Sequence, residues 1–165
     1  MGDGTSRSLS RMTIEIGREA PDFELSDSEG GKTKLSDYRG KKNVLLLFYP
    51  LAFSPVCTSE FCALRDVNDD IQSDDTEVIG ISVDSRWTLM AWKEAEKFPN
   101  KFVADFWPHG EVARKYGVFV EERGTTLRGS FLIDKQGIVR WMEVKPALEA
   151  RDQDAWRAAI ASLTG

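Results

Sequence analysis

Apolar and polar positions along the chain alternate between two periods, and each stretch predicts an element. Val44 to Tyr49 is a continuous apolar run with charged flanks, the pattern of a central strand buried on both faces. Glu77 to Val83 reads as a second buried strand and Lys101 to Ala104 as a short one. From Cys57 to about Ile71 the spacing becomes helical, and Phe61, Leu64, Val67 and Ile71 fall on one apolar stripe. Arg86 to Lys97 predicts a helix that Phe98-Pro99-Asn100 stops, and Glu111 to Tyr116 a short one ending at Gly117. Asp152 to Leu163 predicts a closing helix, capped by Asp152 or the residue before it. Asp22 to Leu25 and Thr33 to Leu35 flank Glu29-Gly30-Gly31 as a hairpin; Gly129 to Ile133 and Ile138 to Val144 do the same around Asp134-Lys135-Gln136-Gly137. Strand–helix–strand units followed by a hairpin and a helix predict an α/β fold with a central mixed sheet flanked by helices. Residues 1–12 carry no apolar pattern and predict a disordered leader, with Met12 as an alternative start, ahead of a single domain over 13–165.

Composition narrows the function classes. The 165 residues carry 22 basic and 27 acidic side chains, a formal charge of −5 without a basic run, so no nucleic-acid partner is expected. No apolar run approaches the ~20 residues of a membrane span, so no membrane partner is expected either. The N-terminus does not read as a secretory signal, and a reducing cytoplasm is the expected compartment. Two cysteines and one histidine are too few for a disulfide framework or a zinc site; neither a metal nor a cofactor is expected.

Cys57 changes the picture. It ends the run Phe48-Tyr49-Pro50-Leu51-Ala52-Phe53-Ser54-Pro55-Val56-Cys57, between a strand and a helix. That places it beyond the carboxyl end of a central strand, where open α/β sheets gather their ligand sites. A free cysteine is commonly just a small buried hydrophobe. Here three features favour a nucleophile instead. A sulfur in the first helical turn faces unpaired N–H groups and the positive end of the dipole. Ser54 offers a hydroxyl to the sulfur or to a bound oxygen, and Pro50 and Pro55 stiffen the loop.

Pro50, Ser54 and Cys57 together spell Pro-x-x-x-Ser-x-x-Cys, and with that pattern the chain resembles the peroxiredoxins, thiol peroxidases on a thioredoxin-like fold. The resemblance runs from Ala20-Pro21-Asp22-Phe23 to the terminal helix. Its segments Asp105-Phe106-Trp107-Pro108-His109-Gly110 and Tyr116-Gly117-Val118-Phe119 are most similar to the AhpE-like subfamily. It implies that Arg128 lies beside a Cys57 thiolate, although an arginine taken alone is most often half of a surface ion pair. It also implies the reaction: the thiolate attacks one peroxide oxygen, the other leaves as water or an alcohol, and Arg128 with backbone donors spreads the charge. Serine at position 54, where threonine is commoner, loses the methyl that restricts the rotamer, so peroxide positioning is looser. Glu60 lies near the apolar stripe. A buried carboxylate there needs a partner, and Arg128 is the candidate that it would orient; a solvated first-turn acid is the alternative.

Cys62 falls on the opposite side of the helical wheel, among Thr58, Asp66 and Asp69, and is expected to face solvent or a loop. Positions i and i+5 of a helix are about 8.7 Å apart, while a disulfide needs Cα atoms within about 7 Å, so a Cys57–Cys62 bond requires local unwinding. The Cys-x-x-x-x-Cys spacing resembles the Q-type peroxiredoxins, in which the second cysteine resolves the sulfenic acid; the AhpE-like pattern lacks it. The resemblance thus implies a two-cysteine cycle restored by a thioredoxin-like protein. The alternative is a one-cysteine cycle recycled by a mycoredoxin- or glutaredoxin-like protein or a small thiol. A thioredoxin-like disulfide reductase is a further class, opposed by the four-residue gap, and a non-catalytic redox chaperone another. The AhpE-like resemblance suggests a homodimer and the Q-type one a monomer, with Phe53 and Trp107 as candidates to flank the pocket or a dimer contact. His109 reads as a turn or cap residue, and Asp27, Glu29 and Asp37 as surface charge.

Overall fold

A computed structural model describes residues 14–66, 71 and 75–164; the leader expected over 1–12 and Val67 of the apolar stripe lie outside the described residues. In chain order the elements are β1 (Glu24–Ser26), β2 (Lys32–Lys34), a 3-10 turn (Leu35–Tyr38), β3 (Asn43–Phe48), α1 (Pro55–Asp66), β4 (Thr76–Ser82), α2 (Arg86–Glu96), β5 (Lys101–Ala104), α3 (Glu111–Lys115), β6 (Phe119–Val120), β7 (Thr125–Thr126), β8 (Arg128–Ile133), β9 (Val139–Lys145) and α4 (Gln153–Thr164). The described residues form a five-stranded sheet in the order β5-β4-β3-β8-β9. β3, β4 and β5 run parallel, and the β8–β9 hairpin packs antiparallel on the other side of β3. The sheet is therefore mixed, as the sequence predicts. No helix of the described residues is long and apolar enough to cross a membrane.

β3 stands at the centre, and all six of its residues are buried. Its side chains alternate between two cores, as the period of two requires. Leu45, Leu47 and Tyr49 join Phe61 and Leu64 of α1, Leu89 and Trp92 of α2, and Trp156 of α4. Val44, Leu46 and Phe48 join Val112 and Ala113 of α3, Tyr116 and Phe131. Each such side chain contributes about 1.5–3 kcal/mol on burial, which anchors β3 and with it the loop that follows. Gly80 on β4 makes room for this packing: a methyl group there would come within 2.5 Å of the Phe102 ring.

The first hairpin is β1 paired with β2, with Leu35 already in the 3-10 turn. Asp27 is a correction to the surface-charge reading. It is buried, its Oδ1 accepts the N–H of Glu29 at 2.9 Å and of Gly31 at 3.0 Å, and its Oδ2 accepts the Thr33 hydroxyl at 2.8 Å. A turn that must satisfy its own N–H groups recruits the nearest short carboxylate. α4 starts after Asp152, whose Oδ1 accepts the Asp154 N–H at 2.9 Å.

Candidate active site

The loop between β3 and α1 is fixed at several points. Tyr49 is buried and its N–H still donates to the Ile81 carbonyl at 3.1 Å, and Pro50 follows half-buried. The Ala52 N–H donates to Asp84 Oδ2 at 2.8 Å, and the same oxygen accepts the Ser82 hydroxyl at 2.7 Å. The end of β4 thus holds the loop in place. Phe53 next to it has φ +66°, a left-handed conformation that a bulky residue adopts only where its surroundings impose it. Pro55 then opens α1 at the position where a missing N–H costs nothing, and the Thr58 N–H closes the first turn on the Ser54 carbonyl at 2.8 Å. Cys57 is the third helical residue, two positions further into the helix than its sequence pattern indicates.

The Cys57 sulfur is fully buried, and a guanidinium reaches it there. Arg128, the first residue of β8, donates from Nη2 to Sγ at 3.1 Å. Its Nη1 donates to Glu60 Oε1 at 3.1 Å and its Nε to the Ala147 carbonyl at 2.7 Å, so every edge of the fork is used. Glu60 is buried too, one helical turn after Cys57.

A second arginine completes the cluster, and sequence reasoning missed it. Arg151 precedes α4 and donates to Glu60 Oε1 from Nη2 at 2.7 Å and from Nε at 2.9 Å; its backbone N–H takes Oε2 at 3.0 Å. Its Nη1 donates to the Gly129 carbonyl at 3.0 Å and to Ser130 Oγ at 3.3 Å. Burial pushes the Glu60 carboxyl up, but the charge and hydrogen bonds of Arg151, with the charge of Arg128, outweigh it and hold the group below the ordinary value of 4.5. Two buried guanidiniums then face one buried carboxylate. The uncompensated positive charge lies against the Cys57 sulfur.

Other expected residues lie elsewhere. The Ser54 hydroxyl donates to the Leu51 carbonyl at 2.9 Å rather than to the sulfur, which leaves its oxygen able to accept. Cys62 is half-buried and packs against the core beside α2, with Sγ 3.5 Å from Glu96 Oε2, instead of facing solvent. A wheel reports one helix and cannot see the neighbour that covers its polar side. Both cysteines are free thiols. His109 sits in the turn before α3 with Nε2 2.7 Å from the Gly124 carbonyl. Phe53 and Trp107 are exposed, Trp107 at 79%, and a groove of about 370 Å³ beside Trp107 is lined by Leu25, Trp87, Ala104 and Phe106. Among the described residues no three His, Cys, Asp or Glu side chains converge as a metal would require.

Comparison with known proteins shows the family to which this chain is similar. A family model described as AhpC/TSA family matches residues 16–142. Alkyl hydroperoxide reductase E of Mycobacterium tuberculosis is 43% identical over 151 residues, 92% of this chain and 99% of its own. Among solved structures, the reduced 2-Cys peroxiredoxin of Plasmodium vivax superposes with a TM-score of 0.80 at 32% identity, over 90% of this chain and 96% of its own. Peroxidoxin BcpB of Mycobacterium tuberculosis gives 0.79 at 28% identity, over 91% and 98%.

Proposed function

We propose a catalytic cycle from the premise that the chain belongs to the AhpC/TSA family of peroxiredoxins and is a thiol-dependent peroxidase. The observation that carries the cycle is the Arg128 Nη2 to Cys57 Sγ contact of 3.1 Å inside a buried cluster. The Cys57 thiolate attacks one oxygen of hydrogen peroxide, an organic hydroperoxide or peroxynitrite. The O–O bond breaks, the sulfur becomes sulfenic acid, and the distal oxygen leaves as water, an alcohol or nitrite. In the transition state negative charge spreads over both oxygens. Arg128 and the free N–H groups of the first turn of α1 meet it, and the dry surroundings strengthen the interaction. Glu60 and Arg151 keep the Arg128 fork aimed at the sulfur, Pro50 shapes the loop, and the Ser54 oxygen accepts a hydrogen bond from the peroxide.

Cys62 then condenses with the Cys57 sulfenic acid, and a thioredoxin-like protein reduces the disulfide. One observation favours a second reading: α1 is helical from Pro55 to Asp66, which keeps the two thiols out of bonding reach. In that reading a mycoredoxin- or glutaredoxin-like protein or a small thiol attacks the sulfenic acid directly. Peptide mapping after one equivalent of peroxide separates them. A Cys57–Cys62 disulfide supports the first; only sulfenic, sulfinic or mixed-disulfide Cys57 overturns it.

We place this activity in the reducing cytoplasm, where thiol reductants are available. Exposed Phe53, Trp87, Phe106 and Trp107 supply an apolar face for a homodimer, the kind of surface a monomer seldom leaves bare. Equilibrium sedimentation tests it: Trp107→Glu shifts a dimer to monomer, and a wild-type monomer at micromolar concentration rules the dimer out.

A further inference from the structure

Cys62 is held by a neighbour of opposite sign to that of Cys57. Its Sγ lies 3.5 Å from Oε2 of Glu96, the last residue of α2. Arg65, three residues along α1, donates from Nη1 to the Glu96 main-chain carbonyl at 2.5 Å, and the same nitrogen is 4.0 Å from Glu96 Oε2. Two residues of α1 therefore close on one residue of α2. The charged groups facing the sulfur are Glu96 from α2 and Arg65 and Asp66 from its own helix. Burial pushes the Cys62 thiol up, the hydrogen bond to Glu96 adds to this, and Arg65 pulls the other way without reversing it. A carboxylate that accepts the S–H stabilises the protonated form, and the protonated form is a poor nucleophile.

We propose that Glu96 is a positioning residue that latches Cys62: it keeps the thiol protonated and docked on α2, so that Cys62 reaches oxidised Cys57 only after the start of α1 has opened and drawn the sulfur off the carboxylate. The inference rests on the two-cysteine cycle above. Once released, Cys62 loses its proton to water and its thiolate attacks the Cys57 sulfenic sulfur. The S–S bond forms, the S–O bond breaks, and the departing hydroxide takes up a proton to become water. The sulfenic acid supplies the oxidising equivalents, so no further oxidant enters. The latch orders the two steps: peroxide reduction uses the closed helix, and resolution uses the open one.

Glu96→Gln keeps an acceptor near the sulfur and removes the charge, and Glu96→Ala removes both. Iodoacetamide labelling of Cys62 in a Cys57→Ser background, followed by mass spectrometry against pH, reads the latch directly. The midpoint moves down in Glu96→Gln, and labelling near neutral pH rises about tenfold. With both cysteines present, the peroxide-independent fluorescence phase after one equivalent of hydrogen peroxide accelerates by a similar factor. An unchanged labelling midpoint in both variants overturns the latch, and a shifted midpoint with unchanged closure overturns its gating role. Absence of a Cys57–Cys62 disulfide in every variant overturns the two-cysteine cycle, and the gating with it, while the labelling midpoint still reports the Glu96 contact.

Discussion

The two sulfurs share helix α1 and differ in almost everything around them. Cys57, in the first turn, is fully buried and receives a guanidinium N–H at 3.1 Å. Cys62, five residues on, is half-buried and gives its S–H to a carboxylate at 3.5 Å. One sulfur receives a guanidinium N–H and the other has its pKa raised by burial and by the carboxylate it faces, although the residue type and the helix are the same. The difference teaches that thiol chemistry here is assigned by the side chains arriving from β8, α2 and the segment before α4, and only secondarily by position along α1.

The largest expected effect is on the peroxide reaction itself. Cys57→Ser reduces peroxide consumption to that of an ordinary thiol, whereas Cys62→Ser leaves the first oxidation fast, as stopped-flow tryptophan fluorescence reads. Equal losses in the two variants would erase the distinction. Next comes Glu60→Gln, which leaves Arg128 and Arg151 buried without a carboxylate. Removing one partner of a buried pair costs about 3–5 kcal/mol, seen as a lower urea midpoint, while Glu96→Gln at the Cys62 end changes stability by less than about 1 kcal/mol. Arg128→Ala slows Cys57 oxidation by about 100- to 1000-fold, the usual cost of a lost charge-stabilising donor, and leaves the folded circular dichroism spectrum in place. Unchanged peroxide kinetics in this variant would remove Arg128 from the mechanism.

The smallest effects are in pH, and they run in opposite directions at two neighbouring positions of α1, Glu60 and Cys62. Glu60 lies below its ordinary 4.5 in the folded protein, so the stability it brings is present above that value and is lost as acid protonates it. Cys62 lies above its ordinary 9.0, so its contribution is present below pH 9 and is lost as pH rises through the folded value. Urea midpoints across pH check both: Glu60→Gln flattens the acid limb, and Cys62→Ser flattens the alkaline one.

Much of this site is legible in the chain. The apolar run of β3, the stripe of α1 and the Pro50-Ser54-Cys57 spacing are local patterns, and they locate the sulfur and its loop. Arg128 is found only because the family pattern points to it. Arg151 meets Glu60 across 91 residues, and no periodicity marks it among 22 basic side chains. Glu96 is hidden for the same reason, since a wheel drawn for α1 contains no information about where α2 ends. The pattern points the Ser54 hydroxyl at the sulfur or a bound oxygen, but its bond to Leu51 depends on a turn geometry that composition does not encode.

The carbonyl of Ala147 holds Arg128 through Nε, and it belongs to the main chain. Substitution at that position leaves the acceptor in place, so an alanine scan would pass over it in silence. A change in backbone path, such as an inserted residue between β9 and Arg151, would instead swing the guanidinium and detune the peroxidase from a distance. The connection ahead of α4 is therefore a place where activity can be adjusted by loop length while every reacting side chain stays as it is.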